Sequence, residues 1–237
     1  AASEKLLHAD FRHRPPEMVL TGNKRSGPLK DIIEQAAQKI GYRIKWRNVD
    51  FARSLRDLER GVIDILPRTI QTTKRELLIN YLGPIGFQDK HIMFLVKKGN
   101  ESLIKKYDDL KTLSIGVKRR AAYFDRFDND KSLNKQSSKD DDNMVRMFQY
   151  DRFDTMPVLD IAALETAMAK HGINNYSYAN FRHEQRIGNY YGMSKRSANA
   201  DIYPQLNKAL LEMAQSGEIA QIYNRHGVIP PAQNNDN

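Results

Sequence analysis

"GPLKDIIEQAAQKIGYRIKWRNVDFARSLRDLERGVIDIL", residues 27–66, alternates between two hydrophobic periods. Leu29, Ile32, Ile33, Ala36, Ala37 and Ile40 recur at helical spacing, and Gly41 supplies a C-terminal stop. "YRIKWRNV" (42–49) then alternates as a strand. Asp50 offers an N-cap, "FARSLRDLER" (51–60) returns to helical spacing, and Gly61 ends that helix before the buried-type strand "VIDIL" (62–66). With "LLHADF" (6–11) ahead of it, the order is β-α-β-α-β, which predicts a layered α/β sheet.

The same alternation continues outward. "HIMFLVKKGN" (91–100) and "LSIGV" (113–117) read as strands, "MVRMFQY" (144–150) as a short helix and "RFDTMPVL" (152–159) as a strand. "IAALETAMAKHG" (161–172) is a capped helix, and "YYGMSK" (190–195) a strand. "YPQLNKALLEMAQSGEIAQIYNRHG" (203–227) gives two helices parted by Gly217. The tail "PPAQNNDN" (230–237) is expected to be disordered, and a polar stretch near 125–143 is the one candidate linker.

Composition narrows the function classes. A chain of 237 residues with 40% hydrophobic side chains holds enough apolar material for one large domain or two smaller ones. The formal net charge of +9 invites a nucleic-acid reading. The cations are scattered, however, and no basic stripe with interleaved aromatics appears, so nucleic acid is not expected as a partner. The lack of cysteine excludes disulfides, thiolate metal sites and a lipid-anchored N-terminal Cys. The apolar runs are too short to span a bilayer. The start "AASEKLL" fits trimming after a small-residue cleavage site, so a periplasmic location with a removed signal peptide is the expectation.

Enzyme signatures are thin: there is no Gly-rich phosphate loop, no nucleophile elbow, and "RHEQR" lacks the second His of a zinc helix. "DNDKSLNKQSSKD" (128–140) opens like a calcium loop. Leu133 stands at the turn glycine, though, and Lys139 at the bidentate Glu, so no metal and no cofactor are expected.

Four collinear stretches resemble the family 3 periplasmic solute-binding proteins, the polar amino acid receptors of ABC transporters. They are "LLHADFRHRPPEM" (6–18), the stretch 27–66 quoted above, "TIQTTKRE" (69–76) and "YGMSK…YNRHG" (191–227). The resemblance implies an α/β, two-lobed periplasmic binding protein type II fold with hinge-linked lobes. Lobe 1 would comprise residues 1–95 and 193–237, and lobe 2 residues 96–192, with crossovers near "FLVKK" (94–98) and "YYGMS" (190–194). It further implies a monomer that closes around a small-molecule ligand, an amino acid or dicarboxylate, and hands it to the membrane permease of an ABC transporter.

The resemblance also nominates residues. Arg75 stands at the family's carboxylate-binding arginine, and a planar guanidinium gives a carboxylate two directed, charge-assisted bonds. Thr72 matches a loop threonine, while Thr69 is out of register with the other. Phe51 falls at the aromatic that covers the ligand, and Asp10 at an acidic position ending the first strand. Asp160 lies near the carboxylate that meets the ligand ammonium, and is equally an N-cap of the helix from Ile161. Lys118 falls at a second-lobe position that reaches the ligand in such receptors. Three departures stand out. Arg68 and Arg120 replace family glycines, and His13 replaces the aromatic after the first strand. With Arg75 and Lys118, the two arginines would make a strongly cationic cleft for an acidic ligand; the rival reading is that they point outward or pair with Asp and Glu, and that the amino acid site is degraded. Two other classes stay open: an orphan sensor of the same fold, and a cyclohexadienyl dehydratase-like enzyme in which Glu17 or Glu184 supplies the proton.

Overall fold

The computed structural model describes residues 4–233. Along the chain run β1 (Leu6–Phe11), β2 (Val19–Thr21), β3 (Lys24–Ser26), α1 (Pro28–Lys39), β4 (Arg43–Asn48), α2 (Phe51–Arg60), β5 (Ile65–Pro67), β6 (Ile79–Leu82) and β7 (Phe87–Asp89). There follow β8 (Ile92–Val96), β9 (Ser114–Lys118), α3 (Asp125–Asn129), β10 (Asn134–Ser138), α4 (Asp141–Gln149), β11 (Met156–Val158), α5 (Ile161–Lys170) and β12 (Ser177–His183). β13 (Arg186–Gly188), β14 (Tyr191–Ser194), α6 (Tyr203–Gln215) and α7 (Glu218–Arg225) complete it. The chain divides into a first unit, Ala1–Gln88 with Arg186–Asn237, and a second, Asp89–Gln185.

Both crossings fall ahead of the positions expected from sequence, because neither flanking strand is shared. β8 is the middle strand of the second unit's sheet, and β14 lies between β5 and β6 in the first unit's sheet. The tail also departs from expectation as far as Gln233: Ala232 exchanges both backbone hydrogen bonds with Phe87, at 2.7 and 2.8 Å. Residues 234–237, the rest of the predicted tail, lie outside the described residues.

The first unit is built on a five-stranded sheet in the order β4-β1-β5-β14-β6. β1 is parallel to β4 and to β5, and β14 is antiparallel to β5 and β6. Strand side chains alternate between faces. Leu7, Ala9 and Phe11 point to one face, where they join Ile32, Ile33 and Ala36 of α1, Leu206 and Leu210 of α6, and Ile219 of α7 in one core. Leu55 and Leu58 of α2 pack with Leu66 and Ile79 in a second, smaller core. The helix ends follow the sequence: Pro28 opens α1, Asp50 caps α2 by accepting from the Arg53 amide at 3.1 Å, and Gly61 closes α2 with φ 79°.

In the second unit β11, β8 and β12 form an antiparallel sheet, and β9 and β10 a parallel pair. Ile92, Phe94 and Val96 enter one core while Leu95 enters another, so β8 is covered on both faces and reads as a continuous apolar run. The polar stretch read as a candidate linker is instead structured as α3 and β10.

Leu206 is fully buried where α6 meets α1. Leu206→Ala is expected to cost roughly 2–5 kcal/mol of stability, read as a lowered midpoint in urea unfolding. A loss below about 1 kcal/mol would mean that this core is not tightly packed.

Candidate functional site

In the first unit the neighbours β1 and β5 lead in opposite directions along the sheet, β1 on to β4 at one edge and β5 on to β6 at the other. In open α/β sheets that switch point, at the carboxyl ends of the strands, is where ligands bind. Two arginines flank it. Arg12 follows β1 directly and Arg68 follows β5. The Arg12 guanidinium donates to the carbonyl oxygens of Pro67 at 3.0 Å and Arg68 at 3.2 Å, bridging the two strand ends. Its charged carbon lies 4.7 Å from the centroid of Phe51, the first residue of α2.

Arg75 faces the same ring at 5.6 Å. Its position is set by a short turn: the Thr72 hydroxyl accepts from the Arg75 amide at 3.1 Å, and the buried guanidinium donates to the Ile70 carbonyl at 2.9 Å. The structure thus brings Phe51, Thr72 and Arg75 together, and adds Arg12, which the sequence did not single out. Burial pushes the Arg12 guanidinium well below its ordinary pKa. Arg14, Arg68 and Arg75 push the same way, and Glu17 opposes them. The signal for Arg12 was its place: like Arg68, it is the first residue past a strand that ends at the switch point.

Arg68 keeps a left-handed backbone, φ 55°. Its side chain turns to Glu17, N to O 3.0 Å, and both terminal nitrogens donate to the Gln88 amide oxygen once that amide is assigned from its surroundings. Buried Glu17 also accepts from Asn189 at 3.3 Å and from the Tyr223 hydroxyl. Burial, aided by the Glu17 carboxylate, drives the Tyr223 pKa far up, so that phenol stays a donor.

Several nominated residues have other partners. Asp10 is fully buried, and the pleat of β1 turns it away from Ala9 and Phe11. It accepts from Arg47 at 2.7 and 2.8 Å and from the Ser54 hydroxyl at 2.7 Å. Thr69 is buried, its hydroxyl donating to the Leu66 carbonyl at 2.9 Å and its amide to Tyr190 at 3.2 Å. His13 is exposed, and its Nδ1 accepts from the Leu20 amide at 3.0 Å. These bonds give Asp10, Thr69 and His13 structural employment. The two acids considered for proton transfer are also engaged: Glu17 by Arg68, and Glu184, at the surface, by Arg182 at 2.7 Å.

In the second unit, Lys118 ends β9, and its ammonium lies 3.2 Å from the carboxylate of Asp141, the first residue of α4. Its amide donates to the Tyr123 hydroxyl at 2.9 Å. Asp160 caps α5, accepting from the Ala163 amide at 3.0 Å, so the capping alternative describes its bond. Lys118, Asp141, Met144, Met156, Asp160 and Leu164 line a cavity of about 10 Å³, roughly one water position. Arg120 is exposed on the turn after Lys118, with φ 61°. Among the described residues no cluster of three or more His, Cys, Asp or Glu is arranged to hold a metal ion.

The model of the bacterial extracellular solute-binding proteins, family 3, matches residues 9–228. The chain belongs to that family. The probable amino-acid-binding protein YxeM of Bacillus subtilis (strain 168) is 22% identical over 207 residues, covering 86% of this chain and 76% of YxeM. The L-cystine-binding protein TcyJ of Escherichia coli (strain K12) is 24% identical over 197 residues, covering 83% and 72%. Among solved structures, a histidine kinase sensor domain with similarity to periplasmic binding proteins superposes with a TM-score of 0.73 at 14% identity, covering 97% of this chain and 98% of that one. The two-lobed α/β binding-protein fold read from the sequence of this family 3 chain is therefore its fold.

Asp10→Asn keeps the shape but removes the charge that Arg47 pairs with. It is expected to lower stability by roughly 1.5–3 kcal/mol while leaving ligand-induced stabilisation unchanged. A weakened ligand response at unchanged melting temperature would instead make Asp10 a ligand contact.

Proposed function

We propose that this family 3 protein is a periplasmic receptor that captures a small carboxylate-bearing ligand, an amino acid or dicarboxylate, for ABC-type uptake. The observation that carries this reading is Arg75: a buried guanidinium, fixed by Thr72 and the Ile70 carbonyl, beside the Phe51 ring at the carboxyl end of the sheet. Such a group, oriented in advance, meets a carboxylate without first being ordered, and this lowers the cost of binding. The names of YxeM, a probable amino-acid-binding protein, and of TcyJ, an L-cystine-binding protein, support the ligand class. Family membership supports an extracellular location, and among the described residues no helix is long and apolar enough to cross a membrane. A permease is the partner this role requires.

A second reading, sensing without transport, draws support from the histidine kinase sensor domain that shares the fold. It uses the same binding residues and differs only in what reads the bound state. Catalysis is disfavoured because Glu17 already serves Arg68, Asn189 and Tyr223, and Glu184 serves Arg182.

A thermal-shift screen of the twenty L-amino acids and common dicarboxylates tests the reading. A ligand present at a hundred times its Kd, and binding only the folded state, adds about 2.7 kcal/mol. The expected outcome is a shift with at least one carboxylate that Arg75→Ala abolishes. A shift that survives Arg75→Ala would remove Arg75 from the site, and no shift with any carboxylate would end the receptor reading.

A further inference from the structure

An α-amino acid brings an ammonium as well as a carboxylate, and that ammonium needs a carboxylate or an open aromatic face. Most of the acidic groups offered by the sequence for this purpose already have charged or hydrogen-bonding partners, and Asp160 keeps one carboxylate oxygen beyond its cap. Asp10 is held by Arg47 and Ser54, and Glu17 by Arg68, Asn189 and Tyr223. Asp160 caps α5, and Asp141 pairs with Lys118. The Phe51 face, which would attract an ammonium, is instead approached by two guanidiniums at 4.7 and 5.6 Å.

Arg12 is the decisive member of this arrangement. Its hydrogen bonds go to the backbone carbonyls of Pro67 and Arg68, and among the described residues no carboxylate forms an ion pair with it. A guanidinium carries five donors and these bonds use two nitrogens, so the remaining donors and the full charge are left for a ligand. Like charges suppress the wrong partner while opposite charges fix the right one.

We infer that the crevice at the carboxyl ends of β1 and β5 selects a dicarboxylate lacking an ammonium group, with Arg12 as the specificity-determining residue that receives the second carboxylate. The inference rests on the receptor reading, in which Arg75 takes the first carboxylate, and it replaces the ammonium-binding half of an amino acid site with a second anion-binding half. Burial is the main cause of the lowered Arg12 pKa; Arg14, Arg68 and Arg75 lower it further, and Glu17 works against them.

The experiment is isothermal titration of the full chain with two matched pairs, succinate against aspartate and glutarate against glutamate. Within each pair the ammonium is the only difference. At least one of the two dicarboxylates is expected to bind ten or more times tighter than its amino acid partner. Arg12→Gln, which retains amide donors for the two carbonyls, should weaken that dicarboxylate about thirtyfold or more and erase the preference. Arg12→Lys should keep part of it, and circular dichroism with melting temperature checks that both variants fold. Tighter binding of aspartate or glutamate would overturn the inference and leave the receptor reading standing. So would a dicarboxylate preference indifferent to Arg12→Gln. Binding of none of the four overturns the inference whatever the wider screen finds, and only a screen empty of every carboxylate takes the receptor reading with it.

Discussion

The ion pair between Asp10 and Arg47 joins the elements of the first unit that carry the candidate site. A fully buried carboxylate is tolerated only when its oxygens are met by charge and hydrogen bonds. Here Arg47 of β4 supplies two bonds and Ser54 of α2 a third, while Arg47 extends to Asp57 of α2 at 2.7 Å. The hydrogen bonding to the Asp10 carboxylate is the main reason the Arg47 pKa is raised. Three elements are thereby locked at one level: the end of β1, the end of β4 and the first turns of α2. Arg12 lies two residues beyond Asp10, and Phe51 opens α2. The salt bridge thus ties together the elements that carry guanidinium and ring, and no ligand need act on it.

The fold was legible where burial writes a period into the sequence. α1 and α2 carry apolar residues at helical spacing because each covers one face of a sheet, and their stops at Gly41 and Gly61 have positive φ, 82° and 79°. β8 was legible because both of its faces are buried. β10 was not: "NKQSS" has no apolar alternation, and it is a strand because its backbone pairs with β9 from Asn134 to Ser138. Backbone pairing carries no side-chain signature, so such a strand reads as a polar loop. β12, "SYANFRH", was lost for a related reason, since its register slips between Tyr178 and Arg182 and breaks the alternation.

The candidate site was legible in part. Arg75, Thr72 and Phe51 could be nominated because a family pattern runs through them, and the structure brings the three together. Asp10 and Asp160 were nominated by the same pattern; Asp10 is committed to a strand neighbour that only the fold brings in by register, whereas the bond of Asp160 to the amide three residues on is the cap that the sequence offered as its alternative. Arg12 was missed because sequence reading sought a carboxylate for an ammonium. A cation satisfied by two backbone carbonyls announces itself only once β1 and β5 are side by side.

The arginines at family glycine positions give the last step. Arg68 and Arg120 both keep a left-handed backbone, φ 55° and 61°, so the local path that a glycine would take is preserved and a side chain has been added to it. A non-glycine residue there costs roughly 1–3 kcal/mol and persists only where its surroundings hold it. For Arg68 those surroundings are visible. Its carbonyl accepts from Arg12, its guanidinium reaches Glu17, and Glu17 is anchored in turn by Tyr223 of α7 and by Asn189. The strain at the end of β5 is offset by a network that joins the second strand end to the C-terminal helix. Within that network the Glu17 carboxylate is paired with Arg68. The arginine at the end of β5 therefore does more than add a cation to the switch point, because it also takes the direct ion pair of Glu17, which acts on Arg12 only at longer range.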